Sequence, residues 1–100
     1  MIIYNVTVNI ENDVREEWLA WMKEVHIPEV VNTGCFTEGK MMRILADEDS
    51  GGTSYAIQYS CPSMEIYEKY RTQHAPAMQQ KALEKYKDKF VAFRTLLETV

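Results

Sequence analysis

One hundred residues, 46% of them apolar and 26% charged, describe one globular domain over 1–100 with a single core. The net charge of -4 opposes binding to a nucleic-acid backbone, which needs a basic footprint. No stretch approaches the roughly 20 apolar residues of a membrane span. The opening MIIYNVTVNI lacks a basic lead and is broken by Asn5, Thr7 and Asn9, so no secretory signal is read there and a cytoplasmic location is expected.

The first strand is predicted over Met1 to Ile10. Ile2, Tyr4, Val6, Val8 and Ile10 line one face, and Ile3, Asn5, Thr7 and Asn9 the other. A helix follows, capped by Asn12 or Asp13, with Glu16 in capping-box position after Asp13. Val14, Trp18, Trp21, Met22 and Val25 share its apolar face, so both tryptophans are read as core. Pro28 in His26-Ile27-Pro28 is expected to end or kink the helix near Ile27, since a residue before proline is pushed out of the α region.

Phe36 to Asp47 and Thr53 to Cys61 read as a hairpin, with Asp49-Ser50-Gly51-Gly52 as the turn and the glycines supplying positive φ angles. A two-residue loop at Ser50-Gly51 or Gly51-Gly52 pairs odd positions with even ones. Met42, Ile44 and Ala46 then share a face with Tyr55, Ile57 and Tyr59. Met41, Arg43 and Leu45 share the other with Ser54, Ala56, Gln58 and Ser60. In that register Cys61 lies opposite residue 40 or so, about 17 Å along the strand from Cys35. A disulfide spans at most ~7 Å between α-carbons, so two reduced thiols are expected. No Cys/His spacing suggests a zinc site, and no motif implies a cofactor.

Ser63 is predicted to cap a second helix, interrupted by Pro76 near His74-Ala75. The helix resumes to about Lys85, and Phe90 to Leu97 is the last strand. The order is βαββαβ, which predicts an α+β, ferredoxin-like domain: a four-stranded antiparallel sheet with two helices on one face.

The uncovered face then carries Asn5, Thr7, Asn9, Arg43, Gln58, Ser60 and Arg94 among Ile3, Met41, Leu45, Ala56, Phe90 and Leu96. A face so mixed is expected to meet a partner. A second copy, sheet against sheet, would make a dimeric α+β barrel whose interior encloses a small organic ligand, with those seven polar residues as ligand contacts. The competing expectation is an interface where the same residues satisfy one another and nothing binds. Arg43 and Arg94 need a counter-charge: an anionic ligand, Glu98, Asp47 or solvent. His26 and His74 are the candidates for acid–base catalysis, each beside a proline-forced break. Each can equally serve a helix end.

Trp18-x-x-Trp21-Met22 with His26-Ile27-Pro28, Gly51-Gly52-Thr53-x-Tyr55-x-Ile57-Gln58-Tyr59, His74-Ala75-Pro76 and Lys89-Phe90-Val91-Ala92-Phe93-Arg94-Thr95 together resemble a family of small bacterial proteins known only as a domain of unknown function. The resemblance covers essentially the whole chain and implies no activity. More distantly, the architecture is similar to the dimeric α+β barrel superfamily, which includes cofactor-independent monooxygenases of antibiotic biosynthesis, muconolactone isomerase and haem-binding members. None of their catalytic motifs matches here residue by residue. The resemblance implies a homodimer, with monooxygenase- or isomerase-like chemistry as one reading. A non-catalytic ligand- or protein-binding dimer is the other. An RNA-recognition module shares the element order but not the basic-glycine-aromatic pattern on its third strand.

Overall fold

A computed structural model describes residues 1–46 and 51–100. In chain order it has β1 (Ile2–Glu11), a 3₁₀ turn (Asn12–Val14), α1 (Arg15–Trp21), a π turn (Met22–His26) and α2 (Ile27–Val31). Then come β2 (Glu38–Arg43), β3 (Gly52–Cys61), α3 (Met64–Gln73), α4 (Ala75–Tyr86) and β4 (Phe90–Glu98). The strands form one antiparallel sheet in the order β2-β3-β1-β4, the ferredoxin-like arrangement expected from the βαββαβ sequence.

The core lies between the sheet and the helices. Ile2, Tyr4, Val8 and Ile10 of β1 are buried there with Tyr55, Ile57 and Tyr59 of β3. Trp18, Met22, Val30, Tyr67, Tyr70 and Tyr86 close over them from the helices. Alternation predicted the inner face of β1 and β3 because the opposite positions are polar.

On the two edge strands the prediction is reversed. Met41 pairs with Ile57 and Arg43 with Tyr55, so odd positions face odd ones. Gly39, Met41 and Arg43 therefore share the inner side with the β3 tyrosines, while Lys40 and Met42 go outward with Gln58 and Ala56. Residues 47–50 of the predicted turn, and with them the expected two-residue loop, lie outside the described residues. Of the two turn glycines, Gly51 has a positive φ of 79° and Gly52 already belongs to β3. Gly39 must lack a side chain for a packing reason: a Cβ there would sit 2.8 Å from the buried Tyr59 ring.

β4 turns over likewise. Val6 pairs with Arg94, Val8 with Ala92 and Ile10 with Phe90, which puts Arg94, Phe90 and Leu96 inside. Val91, Phe93, Thr95 and Leu97 lie outside. Both sets are rich in apolar residues, so periodicity alone cannot choose between them.

The first helix also differs from expectation. No side chain caps it. Asn12 accepts a hydrogen bond from Thr53 Oγ1 at 2.7 Å, and Asp13 pairs with Lys89 at 2.8 Å. Pro28 does not stop it, because Ile27 keeps helical angles (φ -60°, ψ -47°). Instead the Ile27 amide donates to the Met22 carbonyl, five residues back. The ladder widens into a π turn just ahead of a proline that has no N–H to give. Val25 consequently leaves the apolar stripe and is exposed.

The second helical segment follows the prediction. Ser63 Oγ accepts from the Ile66 amide at 3.3 Å as N-cap, and the helix breaks at His74. Cys35 and Cys61 are buried, free thiols. The distance reasoning behind that expectation fails: the Thr37 amide bonds the Ser60 carbonyl, which brings Cys61 within two residues of Cys35 along the ladder. Among the described residues, no helix is long and apolar enough to cross a membrane.

Candidate functional site

Trp18, Met22, His26 and Val30 stand four residues apart and line one wall of a cavity of about 290 Å³. On an ideal α-helix a spacing of four drifts by about 40° at each step. The wider π turn between Met22 and His26 offsets that drift and keeps the later residues on the wall. The floor is the inner face of the sheet: Tyr4, Val6 and Val8 of β1, Ile57 and Tyr59 of β3, and Phe90, Ala92 and Arg94 of β4. Tyr70 of α3 and Met78, Gln79, Ala82 and Leu83 of α4 complete it. A mostly aromatic and aliphatic lining with a few convergent polar groups is the usual composition of a ligand pocket, and this volume suits one or two rings.

His26 is the chemically distinctive wall residue. Its ring stacks on Trp21 with centroids 4.7 Å apart, and Trp21 in turn packs against Tyr86 at 5.5 Å. Its Nδ1 is buried and has no hydrogen-bond partner among the described residues. Burial lowers the imidazole pKa below its ordinary value. Nearby Glu29 opposes that shift and Lys81 adds to it. These two form an ion pair joining α2 to α4. The histidine is thus neutral near pH 7.

A stability test follows from the sign of this shift. Below pH 6.5 or so the unfolded histidine binds a proton that the folded one resists. Stability should therefore fall as pH drops from 6.5 or so toward the depressed folded value. Comparing the wild type with His26→Gln by urea unfolding from pH 7.5 to 5 isolates this contribution. The wild type should lose more stability over that range; parallel curves would mean that His26 titrates normally.

At the sheet end of the cavity stand the tyrosines. Tyr4 lies 5.9 Å from Tyr59, 5.4 Å from Tyr67 and 5.8 Å from Tyr70, centroid to centroid. Burial holds the Tyr59 and Tyr70 hydroxyls well above the usual phenol range, so both stay neutral donors. Arg94 Nε donates to the Tyr4 hydroxyl at 3.1 Å.

The residues singled out from the sequence therefore separate into four places. His26 and Arg94 both line the cavity, and Arg94 lies on the helix side of the sheet, not on the uncovered face expected for it. Asn5, Thr7, Asn9, Gln58 and Ser60 do occupy the outer face. There Asn5 donates to Thr7 Oγ1 at 3.1 Å, Asn9 to Ser54 Oγ at 3.1 Å, and Ser60 to Glu38 at 3.4 Å. Arg43 lies apart, in a shallow groove with Asn12, Ile44 and Thr53. His74 stacks on Tyr70 at 6.2 Å at the α3–α4 break and does not line the cavity. Patterning places Tyr4, Tyr59 and Trp18 in the core, and the structure shows that they also line the cavity with Tyr70. The usable signal was the four-residue spacing Trp18, Met22, His26, Val30, together with tyrosines where a plain core would use aliphatics. No group of three or more His, Cys, Asp or Glu among the described residues is placed to hold a metal ion.

The whole chain superposes on several solved structures at low sequence identity. SnoaB, a cofactor-independent oxygenase from Streptomyces nogalater, is 10% identical with a TM-score of 0.65, covering 98% of this chain and 92% of that one. A dimeric ferredoxin-like protein from an uncultured marine organism is 12% identical with a TM-score of 0.72, covering 100% and 95%. An ethyl tert-butyl ether D (EthD) family protein from Bacillus halodurans is 13% identical with a TM-score of 0.67, covering both chains fully. At these identities the likeness is one of fold. No curated protein is significantly similar in sequence. Residues 1–100 match the family described as Domain of unknown function (DUF4286), and the chain belongs to that family.

Proposed function

We propose that this protein binds a one- or two-ring aromatic molecule in the sheet–helix cavity and that His26 removes a proton from it, within a homodimer joined through the outer sheet faces. The observation that carries this reading is His26 on the wall of an apolar cavity, its imidazole pKa lowered by burial. A neutral imidazole with a lowered pKa in low dielectric is a base that is free of its own proton near neutrality. The ligand's O–H or acidic C–H bond gives its proton to the imidazole, leaving a ligand anion and an imidazolium. That step opens both an isomerisation and a direct reaction with oxygen. The chain also shares its fold with SnoaB, a cofactor-independent oxygenase, and with a dimeric ferredoxin-like protein. These likenesses make such chemistry and such an assembly compatible with the architecture.

The test uses 4-nitrophenol, whose neutral and ionised forms absorb differently. Titrated from pH 5 to 9, the bound nitrophenol should ionise at a lower pH with the wild type than with His26→Gln. Binding without ionisation favours the second reading, a non-catalytic ligand-binding dimer. That alternative draws on the outer-face polar groups, several of which bond one another within the sheet. No binding at all would sink both.

A further inference from the structure

We infer that Arg94, held by the Tyr4 hydroxyl, is the anchor for a ligand carboxylate, so that the cavity selects aryl acids over neutral aryl compounds. This deepens the proposed use of the cavity and rests on it.

Arg94 lines the cavity from the inner face of β4, in register with Val6. Its Nε is committed to Tyr4, which fixes the guanidinium plane and leaves both terminal nitrogens for a second partner. Their fork matches the two oxygens of a carboxylate.

That partner is missing among the described residues. The chain has 15 acidic residues against 11 basic ones, so carboxylates are in surplus. Arg15, Arg71, Lys81 and Lys89 all have ion pairs. Among the described residues, no carboxylate lies within ion-pair distance of Arg94. Glu98 shares its side of β4 and does not reach it. Asp47, the other counter-charge considered, lies outside the described residues.

The positive charge also reaches the aromatic end of the cavity. It opposes the rise that burial imposes on the Tyr67 and Tyr70 hydroxyls. One guanidinium in a chain of net charge -4 suits a monoanion better than a phosphate dianion. His26 on the helix wall and Arg94 on the sheet would then hold a planar ligand at two points.

The experiment is calorimetric titration with benzoate, 2-naphthoate and indole-3-carboxylate, each beside its methyl ester. The wild type should bind at least one acid about tenfold or more tightly than its ester, as expected when a charge-assisted contact is lost. Arg94→Gln should bring that ratio close to one while ester binding persists. Arg94→Lys should restore part of it, lacking the Nε contact to Tyr4. Arg94 is exposed, so neither variant should disturb folding, which circular dichroism checks. Equal binding of acids and esters by the wild type, or a preference that survives Arg94→Gln, overturns the anchor and leaves the cavity standing. Failure of every acid and ester to bind overturns the anchor and the cavity reading together.

Discussion

Trp18→Ala is expected to destabilise the protein by about 3–5 kcal/mol, the range for removing a large buried aromatic side chain. Trp18 is 2% exposed, and its ring lies 5.3 Å from that of Tyr55, clamping α1 to β3. It also forms part of a cavity of about 290 Å³. Truncation would therefore add its volume to a space that is already open. The wall opposite is a hydrogen-bonded sheet, which cannot move in to fill the gap. Domains of this size have about 5–15 kcal/mol in total, so most of the reserve could go. In thermal terms the midpoint should drop by at least about 12 °C. Urea unfolding with an unchanged slope is the measurement. A loss below about 1.5 kcal/mol would mean that the helices close over the gap and that Trp18 is not a fixed wall.

Phe93→Glu is expected to turn the proposed dimer into a monomer without unfolding it. Phe93 is 64% exposed on the outer face of β4, beside Val91 at 71% and Leu97 at 44%, with Met42 at 40% on the opposite edge strand. Exposed apolar residues at both edges flank the polar stripe of Asn5, Thr7 and Gln58 on β1 and β3. Two-fold pairing of such faces would bury both phenylalanines. Glutamate there strands one carboxylate per copy in an interface with no cation facing outward on β4 to receive it. The dimer dissociation constant should rise by at least about a hundredfold. Sedimentation velocity across a dilution series reads this directly. A wild type that stays monomeric at every concentration would remove the dimer. A variant that remains dimeric would place the interface elsewhere. The inner side of β4 is untouched, so the thermal midpoint of the variant monomer should report only the lost partner.

Some of this molecule is written locally. Strict alternation in residues 2–10, with β-branched and aromatic residues against asparagine and threonine, determined the inner face of the first strand. The apolar Tyr55, Ile57 and Tyr59 did the same for the third. Pro62-Ser63 placed one helix start, and His74-Ala75-Pro76 placed a break, because capping and the missing proline N–H act over a few residues. From these the βαββαβ order and the ferredoxin-like sheet follow, since few topologies bury such a pattern.

What the chain contacts only after folding was not legible. The side of β4 depends on its register against β1, as Phe90, Ala92 and Leu96 are about as apolar as Val91, Phe93 and Leu97. Arg94 was therefore assigned to the wrong face. The side of β2 depends on the parity of a loop, where one residue turns every side chain over. A proline signal shows that a helix must adjust, but not whether it ends or widens; packing of α2 against the sheet favours the π turn that seats His26. The cavity is a property of the gap between two layers, and no single segment encodes a gap. The sequence by itself determined the layers and most of the buried set. The tertiary structure alone decided that His26, Tyr4 and Arg94 meet, because they come from three segments whose relative placement depends on pairing and packing across the whole fold.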